Sequence, residues 1–239
     1  MKITLLIPMY NEKKIIKGTL DTLSAYMRDT FPAGEYEILF VSDGSTDGCA
    51  DEVAAYQDPA VRLVAYTPNH GKGYAIRTGV GAAQGEVIMF TDCDLAYGTE
   101  VIGEFYAALT SGNCDVAVGS RPKHKEGYAG YTLLRRIVSR TYLFVLRLFG
   151  GLSLSDSQCG CKGFRGEVAK RIFSYCEVDR FAFDFEAILI GKRMGARFEE
   201  IPVKVINHGE SKVSIIRDTI RMLGDLRKMK KRIRHLDIE

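Results

Sequence analysis

Residues 87–98 read VIMFTDCDLAYG. Four apolar residues end at Phe90, and two acids, Asp92 and Asp94, follow with one residue between them. A short continuous apolar run bounded by polar residues is the pattern of a strand buried on both faces, as in a parallel sheet covered by helices. The spacing predicts a strand over 86–91 that delivers two carboxylates to one end of such a sheet. On extended backbone, side chains two apart point the same way, so the pair is expected to share a ligand. The plainer alternative is a solvated turn after a buried strand.

Working outward, residues 3–8, 37–41, 61–66 and 115–119 also read as strands, and 13–28, 47–56, 72–83 and 100–109 carry helical apolar spacing. The alternation predicts an α/β fold with a mainly parallel sheet flanked by helices. Ligands of such sheets gather beyond the carboxyl ends of the strands. Those ends read PMYNE, VSDGSTDG, TPNHGKG and TDCDLAYG, all polar, and are expected to open onto one crevice. From about Arg121 the chain reads as longer helices and a strand over 197–206, an elaboration on the same sheet.

Composition narrows the function classes. The 239 residues suit one α/β domain with a large core, and 46% hydrophobic and 26% charged residues are ordinary for a folded globular chain. Net charge is +3, yet LRKMKKRIRH near the end concentrates basic residues. That tail lacks interleaved aromatic residues, which disfavours nucleic acid as a partner. Six scattered cysteines without zinc-finger spacing fit reduced thiols in the cytoplasm. No export signal is legible at the start, and the best spanning candidate, 131–152, is interrupted by Arg135, Arg136, Arg140 and Arg147.

Two adjacent carboxylates repel unless a cation lies between them, and hard oxygen donors suit Mg2+ or Mn2+, which would in turn hold a diphosphate. In VSDGSTDG, Asp43 ends a strand and could accept hydrogen bonds from a ribose or base, while Ser45 or Thr46 could cap the next helix. NHGKGYAIRTG offers Lys72 and Arg77 near a helix start, suited to phosphate oxygens. Neither a dinucleotide fingerprint nor a P-loop is present: after Gly71 and Gly73 the third glycine position is Ile76.

The ordered blocks PMYNE, VSDGSTDG, NHGKGYAIRTG, TDCDLAYG, GSR, DSQCGCKGF, FAFDFE and HGESKV resemble the family 2 inverting glycosyltransferases. Within them they resemble the polyprenyl-phosphate branch of dolichyl-phosphate mannose and glucose synthases, across nearly the whole chain. The resemblance implies a GT-A nucleotide-sugar domain over 1–211 and a divalent cation, Mg2+ or Mn2+. It assigns Pro8, Tyr10, Glu12 and Asp43 to the nucleoside, Asp92 and Asp94 to metal and diphosphate, and Lys72 to the donor side. Arg121 would meet the acceptor phosphate, with Ser211 and Lys212, and Asp156 and Gln158 would lie near the reacting centre. Cys159 and Cys161 read as packed thiols, and no histidine is assigned a catalytic role. Ala96 stands where some mannose synthases carry a polar metal-binding residue, so UDP-glucose is the favoured donor and GDP-mannose the next.

A phosphate monoester acceptor arrives largely ionised and needs basic residues more than a base, whereas a sugar hydroxyl needs a carboxylate. Arg121 and Lys212 match the first and Asp156 the second, so polyprenyl phosphate is preferred while a glycan hydroxyl stays open. A non-catalytic membrane-surface adaptor of the same fold is the remaining alternative. Two apolar stripes flanked by basic residues, one over 134–148 and one over 216–233 within a C-terminal helix at 212–239, fit contact with a membrane surface. Because the chain stops after that helix, the protein is expected to sit peripherally on the cytoplasmic face.

Overall fold

The computed structural model describes residues 1–128, 154–180, 182–207 and 229–237. Ser211, Lys212, the 134–148 stripe and the expected domain boundary at 211/212 lie outside the described residues. Elements run β1 (Ile3–Met9), α1 (Ile16–Thr30), β2 (Tyr36–Asp43), α2 (Cys49–Ala54), β3 (Val61–Tyr66), α3 (Lys72–Ala82), β4 (Val87–Phe90), α4 (Glu100–Thr110), β5 (Val116–Ser120), β6 (Lys162–Arg165), α5 (Gly166–Ser174), α6 (Phe183–Arg193) and β7 (Phe198–Pro202).

The seven strands form one sheet in the order β3-β2-β1-β4-β6-β5-β7. Every pairing is parallel except those of β6, which runs antiparallel to both β4 and β5. The first four strands thus form the expected parallel half, with β1 at its centre. Sequence periodicity does not reveal β6, because its four residues, KGFR, carry no apolar alternation. Its insertion separates β4 from β5, which are successive in sequence.

Burial follows the two-residue period of a strand. Ile3, Leu5, Ile7, Ile38, Phe40, Val87 and Met89 pack with α1, α2 and α4 on one face. Leu6, Leu39, Val41, Ile88 and Phe90 pack with α3, α5 and α6 on the other. Each such side chain, once fully buried, contributes about 1.5–3 kcal/mol, so the sheet is fixed by both layers. On the second face α3 comes close enough that a Cβ at Gly79 would lie 2.8 Å from Leu6 Cγ and 2.9 Å from Val41 Cγ2. Gly79→Val is therefore expected to cost about 1–3 kcal/mol by overpacking. A thermal midpoint equal to the wild type would show that this contact is not tight.

Three expectations change in detail. Helix α1 begins at Ile16 rather than residue 13, because Asn11 adopts φ 55° and a turn precedes the helix. Ser45 and Thr46 do not cap α2. Ser45 Oγ instead accepts the Asn11 N–H, the Thr46 N–H donates to Asn11 Oδ1, and Asp47 Oδ1 accepts the Cys49 N–H. Strand β7 spans Phe198–Pro202 rather than the expected 197–206, while the longer helices expected over 134–148 and up to residue 228 lie outside the described residues.

Of the second apolar stripe, Met229 and Ile233 are described, and both are buried in the core cluster shared with α5 and α6. Arg232 locks this turn down by donating to the Tyr175 carbonyl at 3.1 Å and pairing with the buried Glu186 carboxylate. Arg193 adds bonds to the Arg234 and Leu236 carbonyls, each 2.9 Å. At this end the stripe faces protein. Among the described residues no helix is long and apolar enough to cross a membrane.

Candidate active site

The four polar strand ends meet at the carboxyl edge of β3-β2-β1-β4, and hydrogen bonds tie them together. Asn11, just past β1, is bonded to Ser45 and Thr46, just past β2. Asp43, the last residue of β2, is buried, and both its oxygens are engaged by the loop after β3. Oδ2 accepts from Asn69 Nδ2 at 2.7 Å and from the Gly71 N–H at 2.8 Å, and Oδ1 accepts the His70 N–H at 2.8 Å. Asp43 therefore fixes the loop that leads into α3. The same loop presses on Gly44, where a Cβ would stand 2.8 Å from the Pro68 carbonyl carbon. Tyr10, just past β1, is 43% exposed, whereas Pro8 is buried inside β1 opposite Val41.

The acidic pair is brought together differently from the expectation. Strand β4 stops at Phe90, and 93–94 form a turn closed by the Leu95 N–H on the Asp92 carbonyl at 3.0 Å, with Leu95 at φ 50°. Strand alternation therefore does not align the two carboxylates; the turn does. Asp92 faces α3, where Lys72 Nζ pairs with its Oδ1. Asp94 accepts the Ala96 N–H at 3.1 Å and borders a groove of about 540 Å3 between the starts of α1 and α4. Asn207 Nδ2 donates to the Asp94 carbonyl at 2.8 Å, so the chain after β7 is seated beside the turn.

Burial, and then the Asp92 charge, hold the Asp94 carboxyl above the usual carboxylate range, and Glu12 adds to this against the Ala96 N–H and Lys72. Asp94 thus senses Asp92 and Glu12 as like charges that Lys72 only partly offsets. Such a donor set suits a hard divalent cation. Among the described residues no three acidic, histidine or cysteine side chains close a complete cage. A bound ion would take its remaining oxygens from its ligand, the usual situation for Mg2+ with phosphates.

Behind Asp92 lies a second layer that the motif pattern does not reveal. Lys162, fully buried in β6, donates to Asp184 Oδ1 at 2.7 Å and to the Cys159 carbonyl at 2.6 Å. Burial works against the charge on Lys72, but Asp92, Asp184 and Asp94 outweigh it and raise its pKa. Burial likewise raises Asp184, against Lys162 and Lys72. Gly160 stands over Asp92, its N–H donating to Tyr97 Oη at 3.3 Å, and a Cβ there would lie 3.1 Å from Asp92 Cγ. Arg77 pairs with Asp179 at 2.5 Å and lies over the Tyr74 ring. His70 stacks on the same ring at 4.4 Å.

Past β5, Arg121 and Asp156 come together. Arg121 Nε and Nη2 donate to the two Asp156 oxygens at 2.6 and 2.9 Å, and Asp156 is fully buried. The sequence placed these residues in separate roles, but they form one bidentate ion pair. Gln158, two residues on, keeps a buried Nε2 without a hydrogen-bond partner among the described residues. Cys159 and Cys161 are buried free thiols, both raised first by burial, Cys159 to about 11.

A sheet of this order, with an acidic turn at the end of its fourth strand and a crevice across β1 to β3, has the architecture of nucleotide-sugar transferases, the GT-A fold. A glucosyl-3-phosphoglycerate synthase of Mycobacterium tuberculosis, crystallised with Mn2+, UDP-glucose and phosphoglyceric acid, superimposes with a TM-score of 0.69 at 19% identity. That alignment covers 94% of this chain and 79% of the other. Residues 4–173 match Glycosyl transferase family 2, and the chain belongs to that family. It is 34% identical to a dolichyl-phosphate beta-glucosyltransferase of Trichomonas vaginalis over 93% of its own length and 69% of the relative's. It is 28% identical to that of Drosophila melanogaster, over 95% and 73%. The protein is a glycosyltransferase.

Proposed function

We propose that this enzyme transfers glucose from UDP-glucose to a polyprenyl phosphate, with Asp92 and Asp94 holding a divalent cation. The observation that carries the choice of acceptor is the Arg121–Asp156 pair. A hydroxyl acceptor needs a carboxylate free to take its proton. Both oxygens of Asp156 are occupied by one guanidinium in a buried site, so neither is turned toward an incoming hydroxyl. A phosphate monoester has a second pKa of about 6 and needs no such base, only positive charge at the acceptor side. The names of the two sequence relatives support the same acceptor and sugar.

In this reading Tyr10 and the Asp43-braced loop receive the nucleoside, Pro8 shapes β1 beneath it, and Glu12 adds to the acidic mouth. Lys72 lies on the diphosphate side, and Arg121, with Gln158 beside it, on the acceptor side. When bound, the cation supplies positive charge that stabilises the departing diphosphate. Ser211 and Lys212 follow Asn207 closely in sequence and are assigned to the acceptor phosphate, which a membrane surface on the cytoplasmic side would present.

The test is a panel of acceptors and donors with Mn2+ or Mg2+. Transfer from UDP-glucose to a short polyprenyl phosphate is expected, with the unphosphorylated polyprenol inert. The rate should rise with pH to a plateau above about 6, following the acceptor's second ionisation. Equal use of GDP-mannose would overturn the donor assignment. Transfer to a sugar hydroxyl, with polyprenyl phosphate inert, would overturn the acceptor.

A further inference from the structure

Lys72 holds a carboxylate oxygen of Asp92 that a cation on Asp92 would need. Its Nζ is in contact with Asp92 Oδ1, one of the two carboxylates that the proposed function gives to the cation. Its side chain is 22% exposed, against 36% for Asp92. From Asp92 inward the charges alternate, Asp92, Lys72, Asp184 and Lys162, with Asp94 a second carboxylate at the outer end. With all five groups ionised, three negative charges face two positive ones, and the excess lies at the Asp94 end.

The backbone carrying Lys72 is pinned. A Cβ at Gly73 would lie 2.7 Å from Phe183 Cβ, one at Gly71 would lie 3.2 Å from Arg180 Cγ, and the Tyr74 N–H donates to the Asp179 carbonyl at 3.1 Å. Only the side chain is free to turn. Lys72 is also the first residue of α3, at the positive end of the helix dipole, where a phosphate would find favourable potential.

Resting on the metal reading above, we propose that Lys72 is a resident ammonium that keeps divalent cations off Asp92 until a nucleoside diphosphate arrives. The diphosphate then accepts the ammonium, and Asp92 is released to the metal. Cation and nucleotide load together, and the acidic turn does not scavenge metal in the absence of donor. No covalent bond changes in this exchange; one ion pair replaces another.

The test is Mn2+ binding by electron paramagnetic resonance, titrated into the full chain with and without UDP, together with calorimetry of UDP and of uridine. In the wild type, UDP is expected to tighten Mn2+ binding at least about tenfold, the scale of a nearby unit charge in a partly screened site. Lys72→Met should bind Mn2+ alone about tenfold more tightly than the wild type, while its affinity for UDP falls about tenfold and that for uridine is unchanged. A merely structural lysine would move both affinities downward. Lys72→Gln serves as a second variant, and the wild-type comparison stands whether or not either variant folds. Equal Mn2+ affinity of the wild type with and without UDP would overturn the proposal while leaving the metal site in place. The same holds if both variants bind Mn2+ alone no better than the wild type. No uptake of Mn2+ by the wild type even with UDP would overturn the metal reading itself.

Discussion

Asp94→Asn is expected to lower the rate of sugar transfer about a thousandfold while leaving the thermal midpoint at or above that of the wild type. The two effects share one cause. In the protein without ligand, Asp94 is a carboxylate that burial and the Asp92 charge both disfavour. Asparagine removes that repulsion, and its amide oxygen can still accept the Ala96 N–H that Asp94 holds at 3.1 Å. If Asp94 holds the cation as proposed, losing its negative charge would weaken that hold, and stabilisation of the leaving diphosphate in the transition state would be lost with it. A rate within tenfold of the wild type, measured with saturating Mn2+, would exclude Asp94 from the metal site. A midpoint several degrees lower would show that the charge stabilises the turn.

Arg121→Met should destabilise the protein by about 3–5 kcal/mol, because it leaves the Asp156 carboxylate buried and unpaired. For a chain of this size that is a fall in midpoint of about 10 °C. Pairing it with Asp156→Leu should recover most of the stability, since apolar residues of similar volume often replace a buried ion pair at little cost. Transfer should stay lost in both, because a phosphate acceptor needs the guanidinium and not the carboxylate. An active double variant would remove Arg121 from the acceptor site. A single variant as stable as the wild type would show that water reaches Asp156.

The legible and the hidden parts of the site divide along a physical line. Asp92, Asp94, Asp43 and Lys72 could be placed at one edge because each follows or precedes a strand whose apolar run is visible in sequence. Their partners could not. The Lys162–Asp184 pair joins residues 22 apart in sequence, and a lysine in a four-residue strand looks like a surface charge until β6 is seen between β4 and β5. Arg121 and Asp156 were both marked, but as separate agents, since a bidentate contact across 35 positions has no local signature. Strand parity does not relate Asp92 to Asp94, because the chain turns at 93–94, where extended backbone is expected.

From the amino acids alone come the parallel α/β layering, the polar crevice at the carboxyl edge of β1 to β4, and the acid pair at its mouth. These follow from periodicity and from the ends of apolar runs, which are local properties of the chain. Tertiary structure decided which charges neutralise which: Lys72 on Asp92, Lys162 on Asp184, Arg121 on Asp156. It also bent the Asp92–Asp94 segment into a turn and set Met229 and Ile233 against the core rather than against lipid. Those outcomes depend on distances between residues far apart in sequence, and an ion pair in a dry interior is settled by what packing brings within reach.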